Sequence, residues 1–290
     1  MSRMMNFRLL PAALLTLGSG CTRVVDLGID EGPVRLVIEG RIELIKGDAI
    51  GQQHIRLSTT DRFGTAGYPP AVTGATVTVT DDRGRVFNFA ESATESGNYV
   101  TTGLIPTLGG RYTLAVRFRG DRYTATDQVQ PVSPIDSLYF VYQDQNAIVS
   151  DPGFRSLIDY TDPPGKGNYY LWELIVNDSL RLSRDPGNRF RVISEDRFYD
   201  GGRVVGYLPF DEEIVETGQQ VLMRQLALSE ASFRYYAALF EQSTGGGSPF
   251  STPPASVRGN GANLDNPSLY PLGYFLAAEV SERRAVVPAR

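Results

Sequence analysis

The stretch 75–90, ATVTVTDDRGRVFNFA, alternates apolar and polar residues on both sides of an Asp-Asp-Arg-Gly turn. Successive side chains of a strand point to opposite faces, so Val77 and Val79 share one face while Thr76, Thr78 and Thr80 share the other. Asp81, Asp82, Arg83 and Gly84 supply the turn chemistry that closes a hairpin. The same period of two recurs at 34–44, at 54–58, around Tyr99, at 111–119 and at 123–128, with glycine-bearing turns between the runs. About seven short strands in about 95 residues predict a β-sandwich over 34–130, immunoglobulin-like or carboxypeptidase-regulatory-like.

Pro131 and Pro134 then interrupt the pattern, and proline cannot donate to a ladder. They mark a boundary, with a second β-rich domain expected over 135–290. Strands are expected at 138–142, 169–177, 189–193, 203–208, 221–228 and 273–281. The run 169–177, YYLWELIVN, is apolar on both faces except at Glu173, which predicts a buried strand. Ser229 is placed to cap a helix near 229–242, whose Phe233, Tyr236, Ala237 and Phe240 recur at helical spacing and would cover a sheet. The aromatic clusters Tyr139, Phe140 and Tyr142, and Tyr169, Tyr170 and Trp172, alternate with aliphatic residues and are read as core.

The inventory of reactive side chains is short. With 28 basic and 33 acidic residues the net charge is −5, which disfavours a nucleic-acid partner. There are two lysines (Lys46, Lys166), one histidine (His54) and one cysteine (Cys21). A lone histidine cannot build a multi-histidine zinc site, so His54 is read as a solvent-facing strand residue. Asp81 and Asp82 lack the later ligands of a calcium loop and are read as turn residues. No nucleophile elbow, phosphate loop or dinucleotide fingerprint is present, and nothing singles out a carboxylate pair among the 33 acids. The expectation is therefore a protein without catalytic residues, metal or cofactor.

The N-terminus speaks of location. Residues 1–20 read as an export signal, with Arg3 and Arg8 before a short apolar run that ends in Gly18, Ser19 and Gly20. Cys21 follows at once, as in the lipobox of bacterial lipoproteins, where that cysteine receives the acyl chains; Gly18 departs from the aliphatic residue usual there. Residues 21–33 would be a tether. Lipidation of Cys21 would leave the mature domains without cysteine, so their stability must come from packing.

Several motifs together resemble a known group: LVIEGRI at 36–42, VTGATVTVTD at 72–81, GNY at 97–99, YTLAV at 112–116, PIDSL at 134–138, NYYLWEL at 168–174, PFSTPPASVRGN at 249–260 and LGYFLAAEV at 272–280. In this order they resemble an uncharacterised family of Bacteroidota-type outer-membrane lipoproteins, commonly encoded beside TonB-dependent receptors. The resemblance implies an accessory or ligand-capture partner of such a receptor, held by its lipid anchor on one face or the other of the outer membrane, with an unidentified ligand. A structural or adhesive surface protein and an envelope hydrolase are the alternatives. If a receptor is the partner, the loop 243–268, rich in Gly, Ser, Pro and Asn, is the expected contact, through Ser256, Arg258, Asn260 and Asn263.

Overall fold

A computed structural model describes residues 32–48, 51–62, 65, 67–145, 151–181, 192–244 and 257–290. The protein is mainly β, with 51% of the described residues in strands and 8% in helices. The first strands are β1 (Leu36–Ile45), β2 (Gln53–Thr59), β3 (Thr76–Asp81), β4 (Val86–Glu91), β5 (Asn98–Thr101), β6 (Arg111–Phe118) and β7 (Asp121–Gln128). The 75–90 hairpin forms as expected, with Val77 facing Phe89 and Val79 facing Phe87 across β3 and β4. Asp81 makes its turn by accepting the backbone N–H groups of Arg83 and Arg85 at 3.0 and 2.8 Å. His54 is an exposed residue of β2.

These strands run in the order β1-β2-β5-β4-β3-β6-β7. The sheet turns over at the short β4–β5 pairing and encloses a core that includes Ile42, Ile55, Leu57, Val79, Leu114 and Tyr99. The sandwich is completed from the other end of the chain. The last strand, β16 (Leu272–Val286), pairs in parallel with β1 from Val37↔Leu272 to Ile45↔Val280 and sends Phe275 and Ala277 into this core.

The rest of the chain supplies β8 (Ile135–Gln143), β9 (Gly153–Thr161), β10 (Tyr169–Val176), β11 (Ser179–Arg181), β12 (Ile193–Glu195), β13 (Arg203–Tyr207), β14 (Gln220–Leu228), the helix α1 (Glu230–Thr244) and the two-residue β15 (Ala262–Asn263). β10 and β14 extend the large sheet beyond β16 in antiparallel register. A three-stranded sheet, β13-β9-β8, packs on one face of this extension, and α1 packs on the other. The helix begins where its cap requires: Ser229 Oγ accepts the N–H of Ser232 at 3.2 Å. Phe233 then stacks on Tyr169, with ring centroids 4.8 Å apart.

β9 has the weakest sequence signal of the longer strands. Phe154, Ile158 and Tyr160 keep the period, but Ser156 interrupts it and Arg155 is buried on the opposite face. Arg155 is held there by the carbonyls of Asp211 and Asp151, which accept its guanidinium N–H groups. Glu173, the one charge in the apolar run of β10, is explained by its neighbours. It lies between Arg41 of β1 and Arg224 of β14, which also reaches Glu43 and Glu282. Burial alone would raise the Glu173 carboxyl, but the two guanidiniums outweigh it and hold it below the usual range.

Residues 33–290 cluster as one compact unit. Its second core is aromatic. Trp172 is 1% exposed, packs against Tyr160 and Tyr207 with centroids at 5.3 and 5.4 Å, and donates its indole N–H to Ser194 Oγ at 3.1 Å. Trp172→Ala should destabilise the protein by about 3–5 kcal/mol, measured as a lower denaturant midpoint with an unchanged slope.

Asp127, at the end of β7, is 8% exposed and accepts the backbone N–H of Ala277 in β16 at 3.1 Å. Burial pushes its carboxyl up to about 6, against hydrogen bonds that favour ionisation. The folded state therefore holds this proton to higher pH than the unfolded chain, whose aspartates titrate near 3.9. Its contribution to stability is full below pH 4 and falls as pH rises through about 4–6. Taking the wild type from pH 7 to 5 should stabilise it by about 1 kcal/mol relative to Asp127→Asn, read from urea melts of both at the two values.

Candidate functional site

The loop expected to meet a partner is described from residue 257 onward, and Ser256 and Cys21 lie outside the described residues. Its three remaining members do different work. Asn260 is a clamp: its side-chain amide donates to the carbonyls of Thr126 at 3.0 Å and Phe275 at 2.8 Å, and its Oδ1 accepts the N–H of Phe275 at 3.0 Å. Asn263 is 2% exposed; it donates to Asp121 and Leu269, and accepts from the N–H groups of Asp265 and Asn266. Both asparagines use their side-chain amides within the fold. A loop crossing two strand ends must satisfy its own backbone and that of its neighbours, and these two side chains do so.

Arg258 is the exposed member. Its guanidinium lies over the ring of Tyr270, 4.5 Å from the centroid, and the guanidinium of Arg35 also stacks on that ring, at 4.3 Å. Arg35 is fixed by the carbonyls of Ser268 and Tyr270, at 3.0 and 3.1 Å. A cleft of about 170 Å³ opens beside Arg35, lined by Val34, Thr59, Arg119 and Leu269 among others. Further along, Arg122 grips Asp265 through two nitrogens, and hydrogen bonding to that guanidinium holds the Asp265 carboxyl below its usual range. The geometry offers planar, cationic, aromatic-backed groups suited to carboxylate, phosphate or carbonyl partners. Arg35 and Tyr270 stand 235 residues apart, so no local sequence pattern joins them.

A second convergence of polar groups is equally silent in the sequence. Asp162 and Asp196, 1% and 3% exposed, meet the exposed Asp200, each offering an oxygen within 4.8 Å of the others. They stand on two loops, 162–168 and 196–202, that follow β9 and β12.

A family model described as a domain of unknown function (DUF4249) matches residues 22–284. The chain belongs to this family. The match covers every described strand, with only the last two residues of β16 beyond it. It agrees with the sequence resemblance in assigning the chain to an uncharacterised family. A search of curated proteins gives no match. The family domain thus takes in both cores, the stacked arginines and the acidic loops.

The different duties of the loop residues are separable by substitution. Asn260→Ala should cost about 2–4 kcal/mol, since it removes three hydrogen bonds and leaves partly buried backbone groups unpaired. Arg258→Ala should stay within about 1 kcal/mol of the parent, the scale of an exposed cation–π contact. Thermal or urea unfolding of the two variants side by side tests both.

Proposed function

We propose that the protein is a non-enzymatic lipoprotein, held in the outer membrane by acyl chains on Cys21, that acts as an accessory or ligand-capture partner of a TonB-dependent receptor. The observation that supports the anchored reading is in the sequence: Cys21, the only cysteine, stands directly after the small residues Gly18, Ser19 and Gly20. The segment before Cys21 has the charge and length of an export signal, and the twelve residues 22–33 span at most about 40 Å when extended. More than one acyl chain makes such anchoring stable, because each buried methylene contributes about 0.8 kcal/mol.

Partnership with a receptor rests on the ordered motifs and their resemblance to lipoproteins encoded beside such receptors. The Arg258–Tyr270–Arg35 stack is the docking surface this reading favours. Arginine and tyrosine are over-represented among residues that dominate binding energy, and here both guanidiniums are already oriented by one ring. Little side-chain freedom would be lost on association.

Tagged protein purified from detergent-solubilised outer membrane should bring down a β-barrel protein of receptor size in comparable amount. Arg258→Ala should reduce that recovery severalfold while melting with the parent. Cys21→Ser should move the protein from the membrane to the soluble fraction without incorporating labelled palmitate. Recovery of no barrel protein with the wild type would refute the partnership, and palmitate entering the Cys21→Ser protein would refute the anchor.

A further inference from the structure

The loops 162–168 and 196–202 are zipped along their backbones. Asp162 N–H donates to the Gly202 carbonyl at 2.9 Å, and Asp196 N–H donates to that of Asn168 at 3.1 Å. Their carboxylates receive four further donors. Asp162 takes the Tyr170 hydroxyl at 2.6 Å and the Gly201 N–H at 3.2 Å. Asp196 Oδ1 takes the Gly167 N–H at 3.1 Å, and Asp200 Oδ1 takes the Gly165 N–H at 2.7 Å.

One oxygen is left over. Asp196 Oδ2 is buried and accepts no hydrogen bond, on a residue that is 97% removed from solvent. The amide Oδ1 of Asn168, in the same pair of loops, is likewise buried and without a donor. Among the described residues no lysine or arginine pairs with Asp162, Asp196 or Asp200. A buried carboxylate oxygen without donor or counter-charge is costly, and here two more carboxylates crowd it. Three carboxylates thus converge with no paired cation among the described residues.

We infer that Asp162, Asp196 and Asp200 form a calcium site that clips the β9–β10 loop to the β12–β13 loop. The donors are all oxygens, which selects a hard cation over zinc or copper. Calcium accepts six to eight oxygens in irregular geometry, including amide and carbonyl oxygens, whereas magnesium demands a near-ideal octahedron and keeps its waters. Asp200 is exposed, so water can complete the coordination. Affinity falls in the range of extracellular modules, a Kd of about 10⁻⁴ to 10⁻³ M. The ion would neutralise the repulsion and fix the loop ends that border Tyr170 and the aromatic core.

Terbium provides a direct probe, because it occupies calcium sites and emits when a nearby tyrosine is excited, and Tyr170 is hydrogen-bonded to Asp162. The mature chain, freed of metal by chelation, should show saturable terbium emission at one equivalent, displaced by calcium and not by equimolar magnesium. Calcium at 5 mM should raise the melting temperature by about 3 °C. Asp196→Asn should abolish both effects. Asp200→Asn, at an exposed position that cannot disturb the core, should weaken them at least tenfold, so a folding defect in the first variant does not blunt the test. Asp211→Asn, outside the cluster, should behave as wild type. Absent or non-saturable emission in the wild type, equal responses in the Asp200→Asn protein, or displacement by magnesium as effective as by calcium would each overturn the assignment.

Discussion

The unit from residue 33 onward is joined along β16, by backbone amides and side chains of alternate residues. At its start the N–H of Phe275 is taken by Asn260, and that of Ala277 by Asp127. Two residues on, Glu279 accepts the N–H of Val132 at 2.8 Å and pairs with Lys46 at 2.9 Å; two further, Ser281 Oγ accepts the N–H of Ile135 at 2.9 Å. These residues stand at i, i+2, i+4 and i+6, so the pleat itself lines them up. The segment around Pro131 and Pro134 is thereby stitched to β16 through the N–H groups of Val132, between the prolines, and Ile135, after them. A strand that could be read as the last piece of a second domain is also the parallel partner of β1, and its Phe275 fills the first core.

Close approach makes this pairing selective for glycine. Gly273 sits at φ +82, and a Cβ there would come within 2.1 Å of the Ile38 carbonyl oxygen; one on Gly259 would come within 1.7 Å of the Gly273 carbonyl oxygen. Any side chain at either position would push β16 away from β1 or lift the loop from the strand. The loop 257–270 is thus part of the seam, which is why Asn260 and Asn263 are spent on structure while Arg258 faces outward.

Charge is handled in the same economical way. Without a cysteine among the described residues, cohesion falls to packing and to arginine. Arg224 serves three carboxylates from three different strands, and Arg41 shares Glu173 with it. The network lies across the adjacent strands β10, β14, β16 and β1 beneath the helix, so it fixes their register on a face that is otherwise apolar. The acidic loops at 162–168 and 196–202 are the contrasting case, where three carboxylates meet with backbone amides and one tyrosine hydroxyl and no cation.

What the sequence determined by itself was everything governed by local period: the hairpin at 75–90, the strands at 111–119 and 123–128, the burial of Trp172 and the helix capped by Ser229. These depend on alternation, turn residues and caps within a few positions. It also determined that disulfides and multi-histidine metal chemistry are unavailable to the folded part, because composition alone sets that. The parallel pairing of β1 with β16, the stacking of Arg35 and Arg258 on Tyr270, and the meeting of Asp162, Asp196 and Asp200 were decided only by tertiary structure. Each joins residues tens to hundreds of positions apart, and an aspartate or glycine carries no local mark of the partner that the returning chain will bring against it. Asn260 and Asn263 show the difference in one short loop: composition marked them as loop residues, and only the returning strands supply the backbone groups of Thr126, Phe275 and Leu269 that their amides bond.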